Sequence, residues 1–137
     1  MAISVAARKA KGRKLQQWVC EMLSKLFQIP WGSEDDKLIS SRPMSHAGTD
    51  IILRGEAANR IPFSIECKHH ERWRIDEFVE QARKNESDGK DWLLILKKNN
   101  IKPVAVLDAD VLLQIIAAVD TLMDANLPST EGKSDNS

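Results

Sequence analysis

Residues 13–28 carry apolar side chains at the spacing of one helical face, and this stripe limits the possible folds more than any other feature. The apolar positions recur three and four residues apart, as Leu15, Trp18, Val19, Met22, Leu23, Leu26 and Phe27. This spacing predicts an amphipathic helix, which Pro30 would end. Such a helix is stable when its apolar face packs on a second layer of structure.

The later segments predict that second layer. Five of them have the length and composition of strands, namely 37–42, 50–54, 61–68, 92–97 and 102–107. Two more have helical periodicity, namely 74–87 and 111–122. The polar loop 55–60 predicts a hairpin between the second and third strands. The expected order is α-β-β-β-α-β-β-α in one domain over residues 1–127, followed by a polar tail over 128–137 that we expect to be disordered.

Composition excludes several classes of protein. Only two cysteines, Cys20 and Cys67, occur among the 137 residues, and they form no Cys/His pattern. A structural zinc site and a disulfide scaffold are therefore excluded. No apolar run has the roughly 18–20 residues of a membrane span, and the first residues lack the apolar core of a secretory signal. We therefore expect a cytoplasmic protein in a reducing compartment.

The formal net charge is zero, but the charges are unevenly distributed along the chain. Residues 1–28 contain one acid, Glu21, against six basic residues: Arg8, Lys9, Lys11, Arg13, Lys14 and Lys25. Residues 108–137 are acidic, with Lys133 as their one basic residue. A basic end on a neutral protein can bind phosphate groups. The alternative is a solvated helix start balanced by a solvated acidic tail.

The predicted hairpin brings charged residues together. Side-chain alternation places Ser64, Glu66 and Lys68 on one face of its second strand. If the hairpin is symmetric about Ala58, Asp50 lies directly opposite Glu66, with Cβ atoms about 4.5–5.5 Å apart. Two carboxylates at that distance repel each other, whereas hard oxygen ligands of this kind bind Mg²⁺. The alternative is a surface ion-pair cluster of Asp50, Glu66 and Lys68.

This motif resembles that of a known superfamily. Asp50 followed by Glu66-Cys67-Lys68, after a basic amphipathic helix and before a helix with Gln81, is similar to the PD-(D/E)xK nucleases. Within that superfamily, the chain most resembles the Holliday-junction resolvases of archaea and phages. The resemblance implies a restriction-endonuclease-like α/β sandwich, in which helices flank a five-stranded mixed sheet. It also implies Mg²⁺-dependent hydrolysis of DNA, with Mn²⁺ able to substitute, in a bacterial, archaeal or phage-infected cell.

The resemblance covers residues 8–108, and it implies a role for each residue of the motif. Asp50, Glu66 and the backbone carbonyl of Cys67 would hold the metal. Lys68 would be catalytic, because it would orient the attacking water or stabilise the charge on the phosphate.

Three residues outside the motif match positions close to the reaction in the family. Ser45 or His46 lies in a loop that corresponds to one that contacts the scissile phosphate in resolvases. Gln81 resembles a helical glutamine that contacts the active site in several nuclease branches. The alternatives are a plain loop role for Ser45 or His46 and an exposed helical position for Gln81.

Gln16 marks a departure from the resolvases, whose first helix supplies a metal-binding glutamate four residues after a glycine. Counting four residues from Gly12 gives Gln16. At 100° per residue, Gln16 lies about 80° from the centre of the apolar stripe and Glu21 about 140° from it. We therefore expect Gln16 to occupy the position of that glutamate and to hold the metal weakly, whereas Glu21 is solvated. Whether one or two metal ions bind is left open.

Basic residues of the first helix and those after the catalytic strand form the expected DNA-contacting rim. Its members are Arg8, Lys9, Lys11, Arg13, Lys14, His46, His69, His70 and Arg72. His69 and His70 point to opposite faces of a strand, so we do not expect them to share a metal. Trp73 could stack on a base or a sugar, with a place in the core or in a dimer as the favoured alternative.

The resemblance favours a Holliday-junction resolvase, which makes two symmetric cuts and therefore acts as a homodimer. The apolar faces of 92–96 and 111–122 could form the dimer or belong to the core. Two alternatives stay open: a phage or mobile-element nuclease that cuts flaps, ends or duplex DNA, and a catalytically silent DNA-binding module.

Overall fold

The computed structural model describes residues 4–43, 47–86 and 89–126. The chain divides into two compact units, Met1–Leu107 and Asp108–Ser137. The predicted tail over 128–137 lies outside the described residues, and the predicted domain boundary at residue 127 stays a prediction.

The first helix, α1, spans Val5–Phe27 and confirms the helix expected from the apolar stripe. It begins earlier than residue 13 because the Ser4 hydroxyl caps it by accepting a hydrogen bond from the Ala7 N–H at 3.1 Å. Alanine, lysine and arginine, which favour helices, fill its first turns. The helix ends at Gln28, whose φ of 57° is left-handed and breaks the helical path before Pro30.

The buried face of α1 is rotated relative to the apolar stripe. Its buried residues are Leu15, Gln16, Val19 and Cys20. Three members of the stripe are exposed instead: Trp18 at 41%, Met22 at 38% and Leu26 at 71%. The stripe is wider than the surface that covers it, so one edge of the stripe faces solvent.

The predicted strands are present, but they form two sheets rather than one five-stranded sheet. In the first sheet, β1 (Ile39–Ser41) pairs antiparallel with β2 (Ile51–Leu53). In the second sheet, β3 (Phe63–His69) pairs parallel with β4 (Asp91–Lys97), and β4 pairs antiparallel with β5 (Val104–Val106). The fold is therefore α/β with a mixed three-stranded sheet and a separate antiparallel pair.

A short helix, α2 (Gly55–Arg60), takes the place of the predicted hairpin loop. Two contacts stabilise this helix. Ala57 is completely buried, and Arg60 pairs with Glu56 at 2.8 Å across one turn. This connection keeps β2 and β3 out of the antiparallel ladder that the sequence predicts, so the hairpin prediction is wrong. The element order becomes α-β-β-α-β-α-β-β-α.

Two separate cores cover the two faces of the β3–β4 pair. Cys67 of β3 packs in the core to which α1 contributes. Leu94 of β4 packs in the other core with Phe78 of α3 (Ile75–Lys84). Glu66 is in register with Leu94, and neighbours in register point to the same face, so Glu66 faces α3.

Segment 92–96, which could have formed a dimer, belongs to the core. Its alternate side chains Trp92, Leu94 and Leu96 are all at most 3% exposed. They lie in the core that contains Phe78, so this face of β4 is not available to a second chain.

The last helix, α4, spans Ala109–Asn126 and extends the predicted segment 111–122 at both ends. None of its residues is buried, although most of its side chains are apolar. In the part of the chain that the structure describes, no helix combines the length and the hydropathy needed to cross a membrane. A role of α4 in a dimer stays a prediction.

Candidate active site

β3 carries Glu66 and Lys68 on the face that α3 covers. Glu66 is 2% exposed, and its Oε1 accepts a hydrogen bond from Asn85 Nδ2 at 3.1 Å. Lys68 is half-buried, with its Nζ 5.8 Å from the centre of the Phe78 ring. A cation over an aromatic face is attracted to it, so Phe78 helps to position the lysine.

Asp50 reaches the same place from the end of the other sheet. It directly precedes β2, and its Oδ2 accepts a hydrogen bond from the Cys67 N–H of β3 at 2.8 Å. Its carboxyl group also shares a hydrogen bond with the carboxyl group of Glu66. The structure therefore places Asp50 beside Glu66, as expected from the sequence, but without the hairpin register that the expectation used.

Burial and contact with Asp50 change the protonation of Glu66. Burial, followed by the charge of Asp50 and the shared hydrogen bond, raises the pKa of Glu66 from 4.5 to about 8. The Asn85 hydrogen bond and the charge of Lys68 act in the opposite direction without cancelling this effect. Without a cation, Glu66 therefore keeps its proton near neutral pH.

This donor set fits a divalent cation. Asp50 and Glu66 supply hard oxygen ligands, and a cation removes the repulsion between them. The N–H and C=O of one strand residue leave the strand at the same edge, so the Cys67 carbonyl is on the edge of β3 that Asp50 contacts. Within residues 4–43, 47–86 and 89–126, no group of three or more His, Cys, Asp or Glu side chains is placed to hold a metal. Further ligands would therefore come from the backbone, from water or from a substrate phosphate.

Arg42, which is not among the residues predicted from the sequence, holds the segment that carries Asp50. The Arg42 N–H donates to the Asp50 carbonyl at 2.7 Å, and Arg42 Nε donates to the Thr49 carbonyl at 2.6 Å. Gly48 lies against the guanidinium group: its φ is 113°, and a Cβ there would be 2.9 Å from Arg42 Cζ. The available signal was this glycine two residues before Asp50, which indicates an unusual backbone turn.

Gln16 lies on the buried face of α1, as predicted, and is 3% exposed. Glu21 is exposed, also as predicted. The face of α1 that carries Gln16 packs in the same core as Cys67. A role of Gln16 in metal binding stays a prediction.

Gln81 of α3 is exposed, and its contact with the site stays a prediction. Asn85, which directly follows α3, donates the hydrogen bond to Glu66. Asn85 is one helical turn after Gln81, so the two lie on neighbouring positions of the helix surface. Ser45 and His46 lie outside the described residues, so their contact with the scissile phosphate stays a prediction.

Three residues of the predicted DNA-contacting rim border a cleft in the first unit: Lys11, Lys14 and His69. The other residues that line this cleft were not expected to contact DNA: Leu15, Trp18, Lys97 and Pro103. The turn after β4 closes one side, because Asn99 Oδ1 contacts Lys11 Nζ at 3.1 Å and His69 Nε2 at 3.2 Å.

His70 points away from His69, as expected for neighbours on a strand. Its ring lies 5.0 Å from the Phe78 ring, between centroids. Burial lowers the pKa of His70, and the charges of Lys68, His69 and Arg8 lower it further. The start of α1 is therefore close to the end of β3. Exposed members of the rim that do not line the cleft include Lys9, Arg13 and Arg72.

Trp73 occupies a position in the core rather than a base-stacking position. Its ring packs against the core that contains Phe78, and its Nε1 donates to the Lys97 carbonyl at 3.4 Å. Lys98 Nζ lies 5.3 Å from the ring centre, over the remaining surface. These contacts favour the core alternative for this residue.

Comparison with known proteins identifies the family. No curated protein and no solved structure matches the chain. The model of one family, described as "Phage putative PDDEXK endonuclease", matches residues 7–134. This range contains Asp50, Glu66 and Lys68 and most of both compact units. The chain therefore belongs to this family, and the resemblance to PD-(D/E)xK nucleases is confirmed.

Proposed function

We propose that this protein is a divalent-metal-dependent DNA endonuclease whose active site contains Asp50, Glu66 and Lys68. The contact between Asp50, which is partly buried, and the buried Glu66 carries the proposal, since Lys68 follows two residues later on the same strand as Glu66. Two carboxyl groups in contact, one of them buried, destabilise a purely structural site, whereas a cation site uses both of them. Membership of a nuclease family supports the same activity.

Each residue of the site has a separate task in phosphodiester hydrolysis. Asp50, Glu66 and the Cys67 carbonyl would hold Mg²⁺, or Mn²⁺ in its place, which supplies a Lewis acid at the phosphate and lowers the pKa of water. Lys68 adds positive charge where the phosphate gains negative charge during the reaction. Arg42 fixes the backbone of Asp50, so that this carboxyl group is oriented before the substrate binds.

For the substrate, we propose branched DNA, with the four-way junction as the first candidate. The similarity of the motif order to resolvases supports this choice, and the basic residues of α1 supply phosphate contacts near the end of β3. Paired cuts in a four-way junction require two active sites related by symmetry, so the proposal includes a homodimer. We assign α4 to the dimer because none of its mostly apolar residues is buried.

Cleavage of three labelled DNAs tests the activity: a four-way junction, a flap and a linear duplex. We expect cleavage with Mg²⁺ or Mn²⁺ and none with EDTA. Asp50→Asn should lose cleavage but keep DNA binding, whereas Asp36→Asn, which changes an exposed acid, should keep both. Cleavage in EDTA, or unchanged cleavage by Asp50→Asn, would contradict the proposal. Binding of all three DNAs without cleavage in any metal would identify a DNA-binding module instead.

A further inference from the structure

The cleft between α1 and the end of β3 is separate from the carboxylate site. Its volume is about 290 Å³. Its apolar part is formed by Leu15, Trp18 and Pro103. Lys11, Lys14, His69 and Lys97 also line it, and because its surface is almost entirely apolar, they line it with the uncharged parts of their side chains and place their charged ends at its edge. An apolar floor with a cationic rim suits a ligand that has a flat uncharged part and negative charges beside it.

Trp18 supplies the aromatic surface of this cleft. It is 41% exposed although it belongs to the apolar stripe of α1. Met22, one helical turn later, is similarly exposed at 38% but does not line the cleft. An exposed indole ring next to cations is a platform on which a nucleobase can stack.

Contacts between side chains fix the rim of the cleft. Lys11 Nζ and His69 Nε2 both contact Asn99 Oδ1, at 3.1 and 3.2 Å. Lys97 Nζ donates to the Ile101 carbonyl at 2.5 Å, which stabilises the turn that carries Asn99. The rim is therefore arranged before a ligand arrives, and less ordering is needed on binding.

The cleft directly adjoins the catalytic strand. His69 follows Lys68 in the chain, about 3.8 Å away between Cα atoms, and its side chain points to the opposite face of β3. The cleft therefore lies on the α1 side of β3, whereas Glu66 and Lys68 face α3. A DNA strand that bends round the end of β3 can contact the cleft with one nucleotide and the carboxylate site with a nearby phosphate.

We propose that this cleft binds one unpaired nucleobase of the DNA substrate, stacked on Trp18, while Lys11, Lys14 and His69 bind the flanking phosphates. Its volume is close to the roughly 300 Å³ at the lower end of small-molecule sites, which suits a single base. A base inside a fully paired duplex is covered on both faces by its neighbours, so only an unpaired base can stack here. This inference rests on the proposed function and adds an unpaired nucleotide near the cut to the description of the substrate.

Binding of DNA in EDTA tests the inference without a contribution from cleavage. Two duplexes of the same sequence are compared, one with a single bulged 2-aminopurine and one with that base paired. Trp18→Ala should weaken binding of the bulged DNA by about tenfold and that of the paired DNA by less than about twofold. It should also abolish the quenching of 2-aminopurine fluorescence that stacking on Trp18 produces. Met22→Ala, the matched control, should change neither affinity.

Two further variants separate stacking from packing. Trp18→Leu keeps an apolar side chain without a ring and should behave as Trp18→Ala, whereas Trp18→Phe should keep most of the affinity for bulged DNA. Equal losses on both DNAs, or no loss on the bulged DNA, would overturn the inference. Those results would not contradict the proposed function, because cleavage that depends on Asp50 would remain. Conversely, a protein that quenches the bulged 2-aminopurine but cleaves no DNA would contradict only the proposed function.

Discussion

Asp50 Oδ2 accepts the hydrogen bond of the Cys67 N–H at 2.8 Å, and this contact orients the carboxyl group toward Glu66. A backbone donor cannot rotate away as a side chain can, so it fixes the carboxyl group at small entropic cost. The second oxygen of Asp50 is left for other partners. Asp50 is therefore oriented as a ligand before any metal or substrate binds.

The raised pKa of Glu66 predicts the pH dependence of the metal-free protein. The folded-state pKa of about 8 lies above the ordinary value of 4.5, so the folded state binds more protons between these two values. The contribution of Glu66 to the free energy of unfolding is fully present below pH 4.5 and is lost as the pH rises toward 8. The loss should reach at most about 1.4 kcal/mol per pH unit, measured by urea unfolding in EDTA.

Glu66→Gln should remove this contribution, because the amide has no proton to lose. Glu77→Gln is the matched control, since Glu77 is an exposed acid that pairs with Arg74 at 3.6 Å. The control should keep the wild-type dependence on pH. If Glu66→Gln also keeps it, another group causes the effect and the assignment of the raised pKa to Glu66 is wrong.

Lys68→Ala should lose most of the cleavage activity, by about 10²–10³-fold, and should still bind metal. The reason is that, in the proposed mechanism, Lys68 acts on the charge of the phosphate, whereas Asp50 and Glu66 provide the metal ligands. Calorimetric titration with Mn²⁺ measures binding, and single-turnover cleavage measures the chemical step. Loss of Mn²⁺ binding together with activity would show that Lys68 maintains the structure of the site.

Gln16→Glu should lower the Mg²⁺ concentration needed for half-maximal cleavage of a four-way junction. The physical reason is that a third carboxyl group would be added on the buried face of α1. The same variant should be less stable in EDTA, because the new carboxyl group is buried without a cation. Glu21→Gln changes an exposed acid on the same helix and should alter neither property. Should Glu21→Gln be the variant that impairs cleavage, the assignment of Gln16 fails.

Gly48→Ala should impair the site through its backbone. The φ of 113° strains an alanine, and the new Cβ would be 2.9 Å from Arg42 Cζ, so Arg42 must move and release Thr49. We expect a loss of about 1–3 kcal/mol in unfolding free energy together with weaker Mn²⁺ binding.

Gly89→Ala is the control for this prediction. Gly89 also has a positive φ, of 68°, but a Cβ there would meet nothing within 4 Å. It should cost about 1 kcal/mol of stability and leave Mn²⁺ binding unchanged. Equal effects of both substitutions on Mn²⁺ binding would show that the contact with Arg42 does not matter.

Local sequence patterns predicted the long helices and strands, because the periodicity of each element is visible within its own segment. The stripe of α1, the strand β4 and the helix α3 were all recognisable from periodicity. The position of the buried face of α1 was not recognisable from periodicity. The apolar stripe includes Trp18 and Met22, which are exposed, but not Cys20, which is completely buried. Which part of a wide stripe is covered depends on the neighbouring layer, and one sequence does not show that.

The pairing of strands was harder to predict than their existence. Loop 55–60 is polar and suggested a turn, but it forms α2, and β3 pairs with β4 instead of β2. Asp50 and Glu66 nevertheless meet, because Asp50 contacts the backbone of β3 through its side chain. The chemistry of the motif was therefore a better guide than the geometry. Asn85 was missed because it acts through a hydrogen bond to Glu66, 19 residues earlier, that no local pattern indicates. Arg42 was missed because its two hydrogen bonds to Thr49 and Asp50 depend on a turn of which Gly48 is the one visible sign.

Asp50 directly precedes β2 of the two-stranded sheet, whereas Glu66 and Lys68 belong to the three-stranded sheet. The proposed catalytic centre therefore exists only while the two sheets are packed together, and a shear between them would separate its residues with every strand still intact. A cation bound by Asp50 and Glu66 would connect the two sheets. It would raise the free energy of that local opening and slow amide exchange in both sheets together, even at sites that never contact the metal.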